Sequence, residues 1–405
     1  MLQLSLSFVL FLSFFKTSFC KNYILTPKTD VFSSNFVNLN IDKFSKEHDL
    51  EVLAKFDHDN LELDHLQFYT TSHETLMKYK GTLSQFYYIE EDVTIHLNHV
   101  DVVVDEMSEM PWHLDRVDQG KLPLDNVYLY NETGSCHRNS DVLVDTYIVD
   151  TGIDIHHSQF EGRAQWSANM VDKDDRDCNS HGTHVAGLVG SKDYGVCKDA
   201  NLYAVKVLNC EGSGSLSGVI KGIDWVFKNH LEKKKDTKKL LKSIINMSLG
   251  GGSSQAVNRA VEYCVSHDND FYIVVAAGNE NEDACDGSPS GAKSILTVMA
   301  SDASDNRAWF SNWGECADIY SPGVNVLSTI PNEKTAVYSG TSMATPVVVG
   351  VLNHYLDVYT KMNMKKIIKQ MLRNATKNAM VGNPKGTTNF FVNLNIYLSV
   401  SNKLK

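Results

Sequence analysis

Residues 105–405 predict an α/β fold, a doubly wound and mostly parallel sheet with helices on both faces, preceded by a small α+β unit. Two observations carry this expectation. From Pro111 onward, short apolar runs that suit buried strands alternate with longer amphipathic segments of helical period, the pattern of a parallel sheet covered on both sides. The 405 residues are 42% apolar and 21% charged, a globular composition with enough material for a core and a smaller second part.

In chain order, residues 1–20 come first. Met1 to Phe15 is nearly all apolar or serine, and Ser18 and Cys20 place small residues before a cut ahead of Lys21, which reads as a secretory signal peptide and a secreted protein. The run is short against the roughly 20 residues a bilayer span needs, so no stable membrane span is expected. Residues 21–104 lack cysteine and hold glycine only at Gly81. Strand-like stretches over 23–25 and 86–89 flank a helix-compatible segment over 41–56, which gives the α+β unit, and the polar stretch 90–110 reads as a linker.

The third part predicts strands over 145–150, 202–208, 243–248, 271–277 and 295–299, and helices over 181–191, 215–230, 253–266 and 342–360. The formal net charge of -11 repels a phosphate backbone, so nucleic acid is not an expected partner. The lysine-rich run from Lys233 to Lys242 reads as a solvated loop. Eight cysteines become seven once Cys20 is removed, so at least one is unpaired within the chain.

Three segments carry chemistry only when taken together. Asp150 ends an apolar strand before Gly152, at the carboxyl edge where open α/β sheets gather function. Alone, Asp150 reads as a turn cap. His181 opens a helix, with His184 three residues on, a spacing that also suits zinc, although no third ligand is evident. Ser342 opens a long apolar helix after Gly340, where free N–H groups and the positive dipole end favour an anion, and Pro346 is expected in its harmless first turn. A serine hydroxyl needs a base to become a nucleophile, and a histidine base needs a carboxylate to hold its tautomer. Asp150, His181 and Ser342 supply those three groups in the chain order Asp, His, Ser. Asn279, after the apolar strand ending Ala276-Ala277-Gly278, adds an amide donor for an oxyanion.

These segments resemble the subtilase family, and Gly162-Arg163-Ala164-Gln165, Gly212-Ser213-Gly214-Ser215, Ser248-Leu249-Gly250-Gly251-Gly252 and Phe310-Ser311-Asn312-Trp313-Gly314 resemble its proteinase K and aqualysin branch. The resemblance implies a serine endopeptidase acting on protein or peptide substrates as a monomer. It implies that Gly212, Ser213, Gly214, Ser248, Leu249 and Gly250 form edges that pair with substrate backbone, with Ala276, Gly250 and Gly278 lining a primary pocket suited to a large apolar side chain. It implies disulfides Cys178–Cys210 and Cys285–Cys316, each worth roughly 3 to 4 kcal/mol by loop entropy. Cys136, Cys197 and Cys264 are left either as one pair and one thiol or as three thiols.

A structural calcium ion is implied at Asp318 with the backbone carbonyls of Lys293 and Ile295. Residues 21–104, most clearly Tyr87-Tyr88-Ile89-Glu90-Glu91-Asp92, resemble an inhibitory propeptide, an intramolecular inhibitor removed by a cut between about His99 and Met107. The family usually has histidine and alanine where this chain has Val347 and Val349, a departure expected to change helix packing rather than remove a catalytic atom, with its effect on activity left open. Asn131 and Asn374 lie in glycosylation sequons, whereas the third, at Asn246, reads as buried.

Overall fold

The computed structural model describes residues 21–28, 45–48, 50–56, 66–97, 100–101, 110–129, 136 and 141–394. The signal-peptide reading, the sequon at Asn131 and most of the expected propeptide cut region lie outside these residues. Among the described residues no helix is long and apolar enough to cross a membrane.

The first unit is a four-stranded sheet of β1 (Asn22–Pro27), β2 (Glu51–Phe56), β3 (Leu66–Ser72) and β4 (Tyr87–Glu91), in the order β2-β3-β1-β4, with helix α1 (His73–Phe86). Successive strand side chains point to opposite faces, and this sheet buries both. Leu25, Tyr69 and Tyr87 close a small core with Leu76 and Leu83 of α1. Their neighbours Ile24, Phe56 and Phe68 join the core of the rest of the chain. The expected helix over 41–56 is corrected in part: residues 45–47 are helical, but residues 51–56 are β2, and a longer helix, α1, follows β3. The helix-forming residues of Glu51–Phe56 are a weak prior that pairing with β3 overrides. Helix α1 begins where the Ser72 hydroxyl accepts from Thr75 N–H at 3.2 Å.

The presumed linker is corrected too. It contains β5 (Thr94–Leu97) and β6 (Val100–Asp101), both paired to later parts of the chain. Helix α2 (Trp112–Asp118) follows. The main sheet has nine strands. They are β7 (Val142–Asp150), β8 (Ala164–Asn169), β9 (Asn201–Lys206), β11 (Leu240–Met247), β13 (Phe271–Ala276), β15 (Leu296–Ser301), β16 (Ile319–Pro322), β19 (Thr376–Lys377) and β20 (Phe390–Phe391). Every pair but the last, β19 with β20, is parallel. Strand β7 is buried from Val144 to Asp150, as a strand covered on both faces must be.

Helices α3 (His181–Gly190) and α6 (Thr341–Val358) pack as one pair on this sheet, and α4 (Leu216–Asp236) and α5 (Gln255–His267) as another. The second pair also receives the outer face of the first unit, where the Phe56 and Tyr263 rings lie 5.6 Å apart. Shorter strands β10 (Ser213–Ser215), β12 (Leu249–Gly252), β14 (Gly287–Ser288), β17 (Val326–Ile330) and β18 (Lys334–Ser339) build the edges above the sheet, and α7 (Met364–Asn374) closes the order of helices.

The lysine run is a solvated loop only over residues 237–239, where Lys238 and Lys239 are exposed. Lys233, Lys234 and Lys235 end α4, Lys234 bridges Asp268 and Asp270 at 2.8 and 2.9 Å, and Lys242 is fully buried in β11. Cations suit a helix C-terminus, and Lys233, Lys234 and Lys242 each find an acceptor. Cys178–Cys210 and Cys285–Cys316 are joined, and so is Cys136–Cys197, leaving Cys264 as the buried thiol.

Deep in this core, Arg116 of α2 meets Asp305 through bonds of 2.7 and 3.0 Å, with its guanidinium 3.9 Å from the Phe391 ring centre. Arg116→Met should therefore lower unfolding stability by about 3–5 kcal/mol, read by denaturant titration, because it strands a buried carboxylate. An effect below about 1 kcal/mol would show the pair to be dispensable.

Candidate active site

Strand β7 ends at Asp150, and α3 begins at His181 beside it. Asp150 Oδ1 accepts from Thr151 N–H at 2.8 Å and lies 2.8 Å from His181 Nδ1. Both side chains are essentially buried, so water screens their interaction little. An imidazole held this way at Nδ1 presents Nε2 as its other working nitrogen. His184, one turn on, is buried, bonds the Ala336 carbonyl at 3.0 Å, and has its pKa pushed down to about 3 by burial. It is a core residue and is not directed to the same point as His181.

Ser342 is the second residue of α6, reached through Gly340, whose φ of 157° is extended. Its hydroxyl donates to the Ser248 carbonyl at 2.8 Å, while the Ser248 hydroxyl donates to the Ser342 carbonyl at 2.9 Å. Pro346 explains this reciprocal pair. It is the sixth residue of α6 rather than part of its first turn, so its missing N–H leaves the Ser342 carbonyl without its helical donor. Ser248 supplies the replacement and in turn accepts from Asn246 at 3.0 Å. Asn246 is thus buried inside the protein, as its sequence context suggested, and Val347 and Val349 are fully buried in α6.

Asn279 follows β13. Its Oδ1 accepts from the Thr341 N–H at 3.0 Å and the Thr341 hydroxyl at 2.9 Å, which fixes the amide and leaves Nδ2 buried without a partner. A buried donor with nothing to donate to costs free energy, and is expected where charge develops during a reaction. The loop after it is shaped by Asn312, which accepts from the N–H groups of Glu280 and Glu282 at 3.0 and 2.9 Å and donates to the Ala277 carbonyl at 3.0 Å. Sequence reasoning assigned Asn312 no role, although it stands in the Phe310–Gly314 motif. Beside Asn279 lies a cavity of about 200 Å³ lined by Gly250, Ala276, Ala277 and Gly278, with Glu280, Glu282, Asp283 and Asp286 also around it. A side chain at Gly278 would collide with Asn312 and Glu280, and its φ of +105° favours glycine as well.

The β12 edge borders this cavity, and β5 runs antiparallel between β12 and the second edge, β10. Ser213, Gly214 and Ser215 of β10 face His96, Ile95 and Thr94, while Leu249 and Gly250 of β12 face Leu97 and His96. Gly212 has φ +73°, and a Cβ there would come within 2.6 Å of Leu97 Cδ1, so the strand's approach requires glycine. Beyond Leu97 the chain pairs again at Val100 and Asp101, opposite Ser339 and Tyr338 of β18, the strand that leads into Ser342. The expected substrate edges thus hold a strand of this chain.

Just before β5, Glu90 accepts from the Ser254 hydroxyl at 2.7 Å and from Gln255 and Ala256 N–H at 3.1 Å, at the start of α5. Asp92 accepts from the N–H and hydroxyl of Ser217, at 3.0 and 2.6 Å, at the start of α4. Helix N-termini favour carboxylates, and this unit provides one for each of two helices. Both acids belong to the Tyr87–Asp92 motif.

Residues 142–392 match the subtilase family. The chain belongs to that family. By this membership it is a subtilisin-like serine protease, a hydrolase acting on peptide bonds. It is 44% identical over 291 residues to a subtilisin-like serine protease of Rhodotorula mucilaginosa, a match covering 70% of this chain and 81% of that one. It is 42% identical to alkaline protease 2 of Aspergillus fumigatus across 75% of this chain, and spans 63% of that relative's length. The solved structure of a cold adapted subtilisin-like serine proteinase matches with 40% identity and a TM-score of 0.63, covering 71% of this chain and 98% of that one.

The family commonly binds calcium. Asp318 is part-buried, its carboxylate accepts from Thr297 N–H at 2.8 Å, and burial pushes its pKa up to about 6. No cationic side chain pairs with it among the described residues. A part-buried carboxylate in that position fits a hard cation, with the carbonyls of Lys293 and Ile295 as companions. In contrast, the Asn374 sequon has its side-chain nitrogen buried, which does not suit an exposed glycan site.

Because the folded pKa of Asp318 exceeds the unfolded value, the protonated form is the favoured folded one. Its contribution to stability is present below about pH 4 and is lost as pH rises through about 6. Calcium-free protein should show this loss in a melting series across pH 4 to 7, and either added calcium or Asp318→Asn should remove it. A series unchanged by both would exclude a cation at Asp318.

Proposed function

We propose that the chain is an endopeptidase in which Ser342 attacks the substrate carbonyl, His181 takes the hydroxyl proton and later passes it to the leaving amine, and Asp150 holds His181 and stabilises its cation. The observation that carries this reading is the buried Asp150–His181 contact at 2.8 Å beside the strand-filled edges that lead to Ser342. Asn279 Nδ2 and the Ser342 N–H, in the first turn of α6, serve the oxyanion. Backbone pairing with β10 and β12 selects an extended polypeptide rather than a small ester. Calcium, when bound at Asp318, supplies charge compensation to the fold and no step of the reaction.

The Ser342 hydroxyl at rest points to the Ser248 carbonyl, so the first motion is its rotation toward the base. The primary pocket has alanine and glycine walls with room for a large side chain, and its carboxylates disfavour an acidic one. We assign residues 21–104 as an inhibitory propeptide, 105–405 as the peptidase, and β5 as the inhibitor's tail in the cleft. Leu97 pairs with β12 and Val100 with β18, the strand that leads into Ser342, and these pairings favour a first cut at the edge of the range read from sequence or just before it. Secretion agrees with the three disulfides, which persist in oxidising compartments.

Ser342→Ala should abolish hydrolysis of a peptide library and leave the precursor uncut. Asn279→Ala should lower kcat by ~10²–10³-fold, the loss known for removal of one such donor in subtilisin. Peptides with phenylalanine or leucine before the cut bond should outpace those with aspartate by at least about tenfold, by the charge argument above. Hydrolysis that survives Ser342→Ala would overturn the mechanism, and a first product cut outside 97–100 would overturn the register of the tail.

A further inference from the structure

Asp177 has no part in the reaction just described, yet it joins the two segments that carry its base and carboxylate. It lies in the loop before α3, 7% exposed, and accepts five hydrogen bonds. Oδ1 receives the Thr151 hydroxyl at 2.9 Å, Asn179 N–H at 3.1 Å and Ser180 N–H at 2.9 Å. Oδ2 receives the N–H and hydroxyl of Thr183 at 2.9 and 2.6 Å. Thr151 follows Asp150 directly, and its oxygen accepts from Gly182 N–H at 3.0 Å, so the ring closes around His181. Ser180, just before His181, holds φ at 91°, a left-handed backbone that a serine keeps only when its surroundings impose it. Asp177 bonds directly to that residue.

We infer that Asp177 is a positioning residue, fixing His181 against Asp150 through Thr151, Ser180 and Thr183 without touching substrate. The inference rests on the proposed triad. The chemistry requires a carboxylate. All five partners of Asp177 are donors, and an amide has one accepting oxygen, so Asn at this position turns an NH₂ group toward one set of donors. The mismatch is relieved by movement of the loop that starts α3, and a displacement near 1 Å is enough to cost about 10²-fold in rate.

The test uses the full chain after self-processing, with active enzyme counted by covalent titration of Ser342. Asp177→Asn should lower kcat per titrated site about 10- to 100-fold with KM within about twofold, as for an interaction needed only in the transition state. Thr151→Val should lower kcat at least about fivefold and Thr151→Ser should restore it. The double variant Asp177→Asn, Thr151→Val should lose little more than Asp177→Asn alone, because both act through one network. A purely structural residue would reduce the titrated fraction or the melting temperature and leave kcat per site unchanged, which would overturn the inference. If Asp177→Asn yields no processed protein, Thr151→Val decides, and a kcat equal to that of Thr151→Ser contradicts the account. Activity that persists in Ser342→Ala would instead refute the triad itself and leave the positioning question without an object.

Discussion

The contact between Asp150 and His181 is the constraint around which the molecule is arranged. A carboxylate and an imidazole buried at the end of a parallel sheet are costly unless they meet, and they meet only if β7 and the start of α3 arrive together. Strand β7 is fixed by its neighbours β9 and β11, and α3 by packing on α6. Helix α6 in turn presents Ser342. The packing of the sheet and of these two helices therefore brings together three distant stretches of chain that carry the base, carboxylate and nucleophile we propose.

The cleft beside that edge is built from unsatisfied strand borders, and such borders invite another strand. Here β5 fills them. The same geometry supports our proposal that a protease acting on extended chains is held closed by a strand of its own chain. Glu90 and Asp92 set the tail in place from outside the cleft by capping α5 and α4. The proposed inhibition would thus depend on contacts at two helix ends as well as on the strand register. The N-terminal unit spends one sheet face on its own helix and the other on α4 and α5, so little of its core is independent of the rest of the chain.

Much of this was legible in the sequence because chemistry constrains residue type strongly. Asp150, His181, Ser342 and Asn279 stood out through strand ends, glycine turns and helix starts, and the edges at Gly212–Gly214 and Ser248–Gly250 through their small residues. The failures share a cause: each depended on a partner remote in the chain. Strand β2 carries helix-forming residues and becomes a strand only by pairing with β3. The polar stretch after Glu90 looks like a linker until β10 and β12 are placed around it. Lys242 looks solvated until the Met362 carbonyl and Asp270 are seen beside it. Pro346 seemed harmless because the role of the Ser342 carbonyl requires Ser248, which lies 94 residues away. Asp177 was one acid among several in its loop, and nothing local marks it as the one that turns inward.

The central claim is that one serine among many is chemically distinct because His181 and Asp150 stand behind it. Treating the processed protein with a fluorophosphonate and mapping the adduct by mass spectrometry tests that claim most directly. The account predicts a single adduct, on Ser342, whose formation rate falls when His181 is replaced by alanine. An adduct on another serine, or labelling of Ser342 at an unchanged rate without His181, would contradict it.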